Sequence, residues 1–140
     1  MAAFNKFNAF VENVAEKVHN LGADTLKILL TNSAPSASNT VKADLTEISS
    51  GNGYTAGGTA VTVTGSSQSA GTYALTQSAD VVFTASGGSI GPFRYAVLYN
   101  DTPASPADPL IGWWDYGSSI TLADSETFTV DMGTNILTIA

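Results

Sequence analysis

The stretch Phe93-Arg94-Tyr95-Ala96-Val97-Leu98-Tyr99 has a period of two: Phe93, Tyr95, Val97 and Tyr99 fall on one face of an extended chain, Arg94, Ala96 and Leu98 on the other. Side chains alternate in this way along a β-strand, and aromatic and β-branched residues favour its pleated surface. The alternation returns where Phe128, Val130 and Met132 interleave with Thr127, Thr129 and Asp131. Upstream, Leu26, Ile28 and Leu30 alternate with Lys27 and Thr31, and apolar Leu29 on the second face marks a strand buried on both sides.

Working outward, turn signals divide the second half of the chain at intervals of roughly ten residues, the spacing of a sandwich or barrel. They predict strands at 60–64, 72–76, 80–85, 92–100, 110–116, 119–122, 127–132 and 135–140, which with the strand at 26–31 makes about nine, enough for two packed sheets. Parallel βαβ units need helical patterns between strands, and none follows residue 50. The fold class expected is therefore mainly β: a two-sheet antiparallel sandwich over residues 23–140, preceded by an N-terminal α-helix. No repeat of propeller or solenoid length is present.

That helix is read from Phe4, Phe7, Val11, Val14, Val18 and Leu21, which recur at steps of three and four with Phe10 beside them. The spacing predicts a helix over about 4–20 within an N-terminal segment 1–22, with Gly22 as its stop. Packing on the domain core is the ordinary role for such a helix; three phenylalanines so close together also suit an arm that reaches a partner. Residues 33–59 read as a long connection, with a helical turn near Val41–Ile48 and a glycine-rich stretch over Ser49–Thr59. Connections of this length in compact domains are commonly functional or bound against something.

The composition narrows the function. Of 140 residues 44% are hydrophobic and only 12% charged, so Ser, Thr, Asn, Gly and Ala take the places that charges usually fill. Such a surface is cheap to desolvate and suits contact with other proteins. The formal net charge is −7, and beyond residue 50 Arg94 stands alone against Asp80, Asp101, Asp108, Asp115, Asp124, Glu126 and Asp131. Without a basic patch neither nucleic acid nor an anionic membrane is an expected partner. No cysteine is present, which removes disulfides, thiolate metal sites and cysteine nucleophiles. No stretch approaches the ~20 apolar residues that span a bilayer, and charges at Lys6, Glu12, Glu16 and Lys17 interrupt the start where a signal peptide needs an uncharged core. A chain made and kept soluble in a cytoplasm is the expectation.

A search for reactive groups returns little. His19 is the only histidine, and its neighbours at four residues' distance are Ala15 and Ala23. Two carboxylates across a cleft can hydrolyse glycosides, and Asp115 and Glu126, near Trp113, Trp114 and Tyr116, are the best pair for it. Asp101, Asp108 and Asp115 lie seven apart, too widely for a calcium loop, and Asp101-Thr102-Pro103 and Asp108-Pro109 read as turns. Gly51-Asn52-Gly53 and Gly57-Gly58 lack the following Lys-Ser/Thr of a phosphate cradle. No catalytic, cofactor-binding or metal-binding residue is assigned, and no enzymatic activity is expected. In Trp113-Trp114-Asp115-Tyr116 adjacent tryptophans must face opposite ways, one toward the core and one outward as a protein anchor or a sugar platform. The contact candidates are Phe4, Phe7, Trp113, Trp114 and Tyr116.

Four blocks are jointly distinctive: Phe4-Asn5-Lys6-Phe7 with Phe10-Val11-Glu12 and Val18-His19-Asn20-Leu21; Asp24 to Pro35; Gly91 to Asp101; and Leu110-Ile111-Gly112-Trp113-Trp114-Asp115-Tyr116-Gly117. As a set, spanning nearly the whole chain, they resemble a widespread group of tailed-bacteriophage virion proteins whose best-understood type is the head decoration, or cement, protein. The resemblance implies a jelly-roll sandwich that sits as a homo-oligomer, dimer or trimer, on the outer surface of the capsid and clamps the major capsid protein. It carries over no catalytic residue and no cofactor. Assembly in the host cytoplasm would follow, with the N-terminal helix and the 33–59 connection near the shell or a sister subunit. With charge so scarce, sheet edges are expected to be covered by that connection, by the helix or by a partner. The alternative function is a carbohydrate- or receptor-binding module of a phage tail or head surface, with a surface glycan as its ligand.

Overall fold

The computed structural model describes residues 2–140. In chain order the elements are β1 (Asn5–Lys6), α1 (Asn8–Ala15), β2 (Leu26–Thr31), a 3₁₀ turn (Lys42–Asp44), β3 (Thr59–Ala60), β4 (Val63–Ser69), β5 (Thr72–Gln77), β6 (Val81–Thr84), β7 (Ile90–Asn100), β8 (Leu110–Leu122), β9 (Thr127–Val130) and β10 (Asn135–Ile139). The protein is mainly β, every strand pairing is antiparallel, and the one α-helix is short and near the N-terminus.

The strands form a five-stranded sheet in the order β1-β8-β7-β2-β3, a three-stranded sheet β10-β5-β4 and the pair β6-β9. Rows of paired residues cross the large sheet, and alternate rows face opposite ways. Leu30, Ala96 and Trp114 form one row and point into the main core, where they meet Leu75 of β5, Val81 and Phe83 of β6, Val130 of β9, and Ile136 and Leu137 of β10. The smaller sheets thus pack on one face of the large one. The next row, Leu29, Val97 and Trp113, faces the other way into a second apolar cluster with Phe7, Tyr99, Leu110 and Leu45. Leu29 is fully buried, as a strand covered on both faces requires. Two hairpins, β7-β8 and β4-β5, keep sequence neighbours side by side in one sheet.

The second cluster is covered by the chain's own N-terminus and by residues 33–59. Backbone N–H groups of Asn8, Lys42 and Ile48 donate to the carbonyls of Ala37, Asp108 and Leu30, and Leu110 N–H donates to Thr40, so the long connection is sewn to α1, β2 and the start of β8. Its anchor is Glu47. Glu47 Oε1 accepts from Tyr54 Oη at 2.6 Å and from Gly57 N–H at 2.5 Å, while Tyr54 Oη accepts from Leu30 N–H at 3.0 Å and Tyr99 Oη donates to the Gly57 carbonyl at 2.6 Å. Burial, then the bond to the Glu47 carboxylate, raises the Tyr54 hydroxyl well above the ordinary tyrosine range, so it stays a donor at every working pH. The edge of β8 is taken by β1, a strand ahead of the helix, and the edge of β2 by β3, at the end of the long connection.

Several sequence-based expectations change. The helix expected over about 4–20 occupies Asn8–Ala15 only. Asn5 and Lys6 instead add a strand to β8, opposite Trp113 and Gly112, because that edge offers unpaired backbone groups that a helix would leave bare. The helix stops at Lys17, not Gly22: Lys17 takes φ 65°, Val18 N–H donates to Asn13 at 2.9 Å and Lys17 N–H to Val14 at 3.4 Å, the paired bonds of a left-handed C-cap that usually carries glycine. The strand expected at 60–64 is two, β3 and β4, and β4 runs on through Gly65-Ser66-Ser67-Gln68-Ser69. Strands 110–116 and 119–122 are one, β8, bulged in the middle. Pairing advances from Asp115 to Ile120 on β8 while β7 moves only from Tyr95 to Phe93. That irregularity turns Phe93 into the main core with Ala96 and Leu98, away from Val97 and Tyr99, whose face the alternation assigned it.

At Gly58 (φ 78°) a Cβ would fall inside van der Waals contact with the Ile28 carbonyl, where β3 crosses β2. Gly58→Ala combines a backbone clash with an unfavourable φ, and should lower the unfolding free energy by about 3 kcal/mol or more, read as a reduced urea midpoint.

Candidate contact surface

Trp113 and Trp114 do face opposite ways, as adjacent strand residues must, but neither stands free. Trp114 is buried in the main core with Phe4 against it edge-on at 5.3 Å. Trp113 is half-buried on the second face, with the Phe7 ring 4.6 Å away and Leu45 beside it. The two phenylalanines reach both faces because they flank β1 on the edge of β8, and Phe4 lies over Gly112, where any side chain would collide with its ring. Phe4, Phe7, Trp113 and Trp114 are therefore brought together as an internal clamp. The outward tryptophan expected from the sequence is covered by the chain's own Phe7, because the second face of the large sheet is itself a core.

Tyr116 is the contact candidate left on the surface, 56% exposed. It sits where β8 bulges, and bulges commonly re-aim a side chain beside a functional site. Phe128 of β9 supports its ring edge-on at 5.5 Å. Next to it Asp115 takes a two-pronged bond from Arg94, Nε to Oδ1 at 2.8 Å and Nη2 to Oδ2 at 3.0 Å, and its Oδ1 also accepts from Gly117 N–H at 2.8 Å. The Arg94 guanidinium, then the Gly117 N–H, holds the Asp115 carboxyl below its usual range. These groups with Ala2, Thr129 and Asp131 line an open groove of about 450 Å³ between β8 and β9. A rigid aromatic beside a planar ion pair can stack on and hydrogen-bond a neutral polar ligand. Sequence reasoning singled out Tyr116 and Asp115 but not Arg94 or the bulge; an arginine alone on its strand gave no signal of its partner across the hairpin.

The remaining candidates have structural occupations. Glu126 Oε1 accepts from Ala123 N–H at 2.6 Å and closes the turn before β9. Asp101 pairs with Lys27 at 2.9 Å. The Gly51-Asn52-Gly53 segment is a tight turn with positive φ throughout, closed by reciprocal bonds between Gly51 and Tyr54. Among the described residues no three His, Asp or Glu side chains gather as metal ligands. Among the described residues no helix is long and apolar enough to cross a membrane.

His19 is buried at the junction of the segment after α1 with β7. Asn100 Nδ2 lies 3.1 Å from His19 Nδ1 and donates to Asp24 Oδ2 at 2.7 Å, while His19 Nε2 is buried near the Phe10 ring with no hydrogen-bond partner among the described residues. The alanines at four residues' distance gave no hint of these partners, since Asn100 arrives from the far end of β7.

No family model matches the chain, and no curated protein or solved structure matches it.

Burial pushes the His19 imidazole below its ordinary pKa of 6.5, against the pull of the Asp24 carboxylate. The folded state then binds the proton less readily than the unfolded chain, so the contribution of this site is complete above about pH 6.5 and is lost as the pH falls through that value. Urea midpoints should drop between pH 7 and pH 5, and His19→Gln should flatten that part of the profile.

Proposed function

We propose that this chain is a virion structural protein that decorates and stabilises a tailed-bacteriophage capsid, binding the major capsid protein and other copies of itself on the outer surface of the shell. The reading is carried by the resemblance of its four sequence blocks to the cement-protein group. In the fold those blocks are neighbours: the first supplies β1 and α1, the second β2, the third β7 and the fourth β8, side by side in one sheet. Segments far apart in sequence that meet as one packed layer are what a shared framework consists of, so the resemblance falls on mutually dependent residues and not on scattered ones. A surface rich in hydroxyl and small residues, with 12% of the chain charged, costs little to cover, in keeping with a role in contact. The jelly-roll winding implied by the same resemblance belongs to this proposal.

A second reading, a glycan- or receptor-binding module, is favoured by one observation: Tyr116 exposed beside the Arg94–Asp115 pair on the β8-β9 groove. Under the first reading, purified expanded capsids lacking the protein should bind it on co-sedimentation and lose their contents at a higher temperature once decorated. Capsids that neither bind it nor gain heat resistance would overturn that reading, and glycan-array binding abolished by Tyr116→Ala would put the second in its place.

A further inference from the structure

We infer that the outer edge of β4 is the surface through which two copies of this chain pair, strand to strand and antiparallel, across a twofold axis. β4 ends its sheet, and among the described residues β5 is its only strand neighbour. Thr64, Ser66, Ser67, Gln68 and Ser69 are exposed, and no backbone hydrogen bond among the described residues reaches the free side of this strand. A row of unpaired N–H and C=O groups is a template for another strand, and proteins ordinarily guard such an edge with charge, proline, a bulge or very short length. The other edges are short or covered: β1 and β3 have two residues each, β6 and β9 four each, and β10 lies beside α1 along an apolar groove. β4 has seven residues, its irregularity is confined to the start between Val63 and Gly65, and Ser66–Ser69 run in unbroken register with β5.

The charge pattern selects the occupant. From Ile48 through Ala79 there is no Lys, Arg, Asp or Glu and no proline, in a chain whose formal net charge is −7. Two copies repel wherever their carboxylates meet, and along the β4-β5 hairpin and the residues flanking it they meet none. In a twofold antiparallel pairing the residue on the axis faces its own copy and residues equally spaced on either side of it face one another, so a strand carrying one sign of charge would bring like charges together; Ser, Thr and Gln can instead hydrogen-bond across the strands. The two three-stranded sheets would then run into one. The inference gives the self-contact of the proposed function a surface, and it is tested on the purified chain without capsids, so its failure and the failure of capsid binding are separate results.

A pairing confined to one strand edge makes for a weak dimer, so sedimentation velocity of the full chain should pass from monomer to dimer as concentration rises through the high-micromolar range. The double variant Ser67→Lys, Ser69→Lys, checked for an unchanged circular dichroism spectrum and melting temperature, should remain monomeric throughout. Mixed with Ser67→Glu, Ser69→Glu it should form a heterodimer. Because the chain has no cysteine, single cysteines placed in turn from Thr64 to Ser69 are the only thiols present, and oxidative cross-linking should peak at the position on the axis. A wild-type chain that stays monomeric across that range, or lysine variants that dimerise as well as wild type, would overturn the inference.

Discussion

The large sheet is apolar on both faces, and that constraint organises everything else. Along β2, β7 and β8, rows pointing one way (Leu30, Ala96, Trp114) and rows pointing the other (Leu29, Val97 and the half-buried Trp113) are withdrawn from water. Burying a side chain of this kind is worth roughly 1.5–3 kcal/mol, so neither face can be left bare in a protein whose net stability is a few such increments. One face receives the two smaller sheets. The other has no sheet to meet, and the chain supplies its own cover from the N-terminal segment and from residues 33–59.

That second cover explains features that look idle in isolation. The long connection is irregular in conformation yet firmly tied, because Glu47 gathers Tyr54 and Gly57 and thereby links the connection to β2 through Leu30 and to β7 through Tyr99. Phe4 packs edge-on against Trp114 and Phe7 tilts against Trp113 from opposite sides of one strand, which ties the N-terminus to both faces of the sheet. Aromatic residues that resemble surface anchors are thus spent on the interior. What remains for contact is different in kind: a bulge that lifts Tyr116 beside an ion pair, and a neutral hydroxyl-bearing hairpin at the far side of the smaller sheet.

Much of this was legible in the sequence. The mainly antiparallel class, the double-sided burial of Leu26–Thr31 and the opposed faces of Trp113 and Trp114 follow from a period of two, a property of the backbone that does not depend on what lies alongside. Residues that misled did so where partners override local preference. Phe4 and Phe7 fit a helical spacing, but the open edge of β8 drew their segment into a strand. Gly65-Ser66-Ser67-Gln68-Ser69 has no apolar alternation to announce a strand, and β5 holds it in place through the ladder alone. Tyr116 was visible as an aromatic in a cluster, while its exposure, the Arg94 partner of Asp115 and the groove depend on a register shift within a hairpin, which no composition or period encodes.

By itself, then, the sequence determined the class of the fold, the strands at its centre and the poverty of its chemical groups, because alternation, glycine placement and charge content act locally or in bulk. Only the tertiary structure decided which aromatic faces water, which histidine is buried and which strand edge is left open. Those outcomes turn on which distant segments reach a given face first, and burial of apolar area rewards whichever segment covers it, with little regard to where in the chain that segment lies.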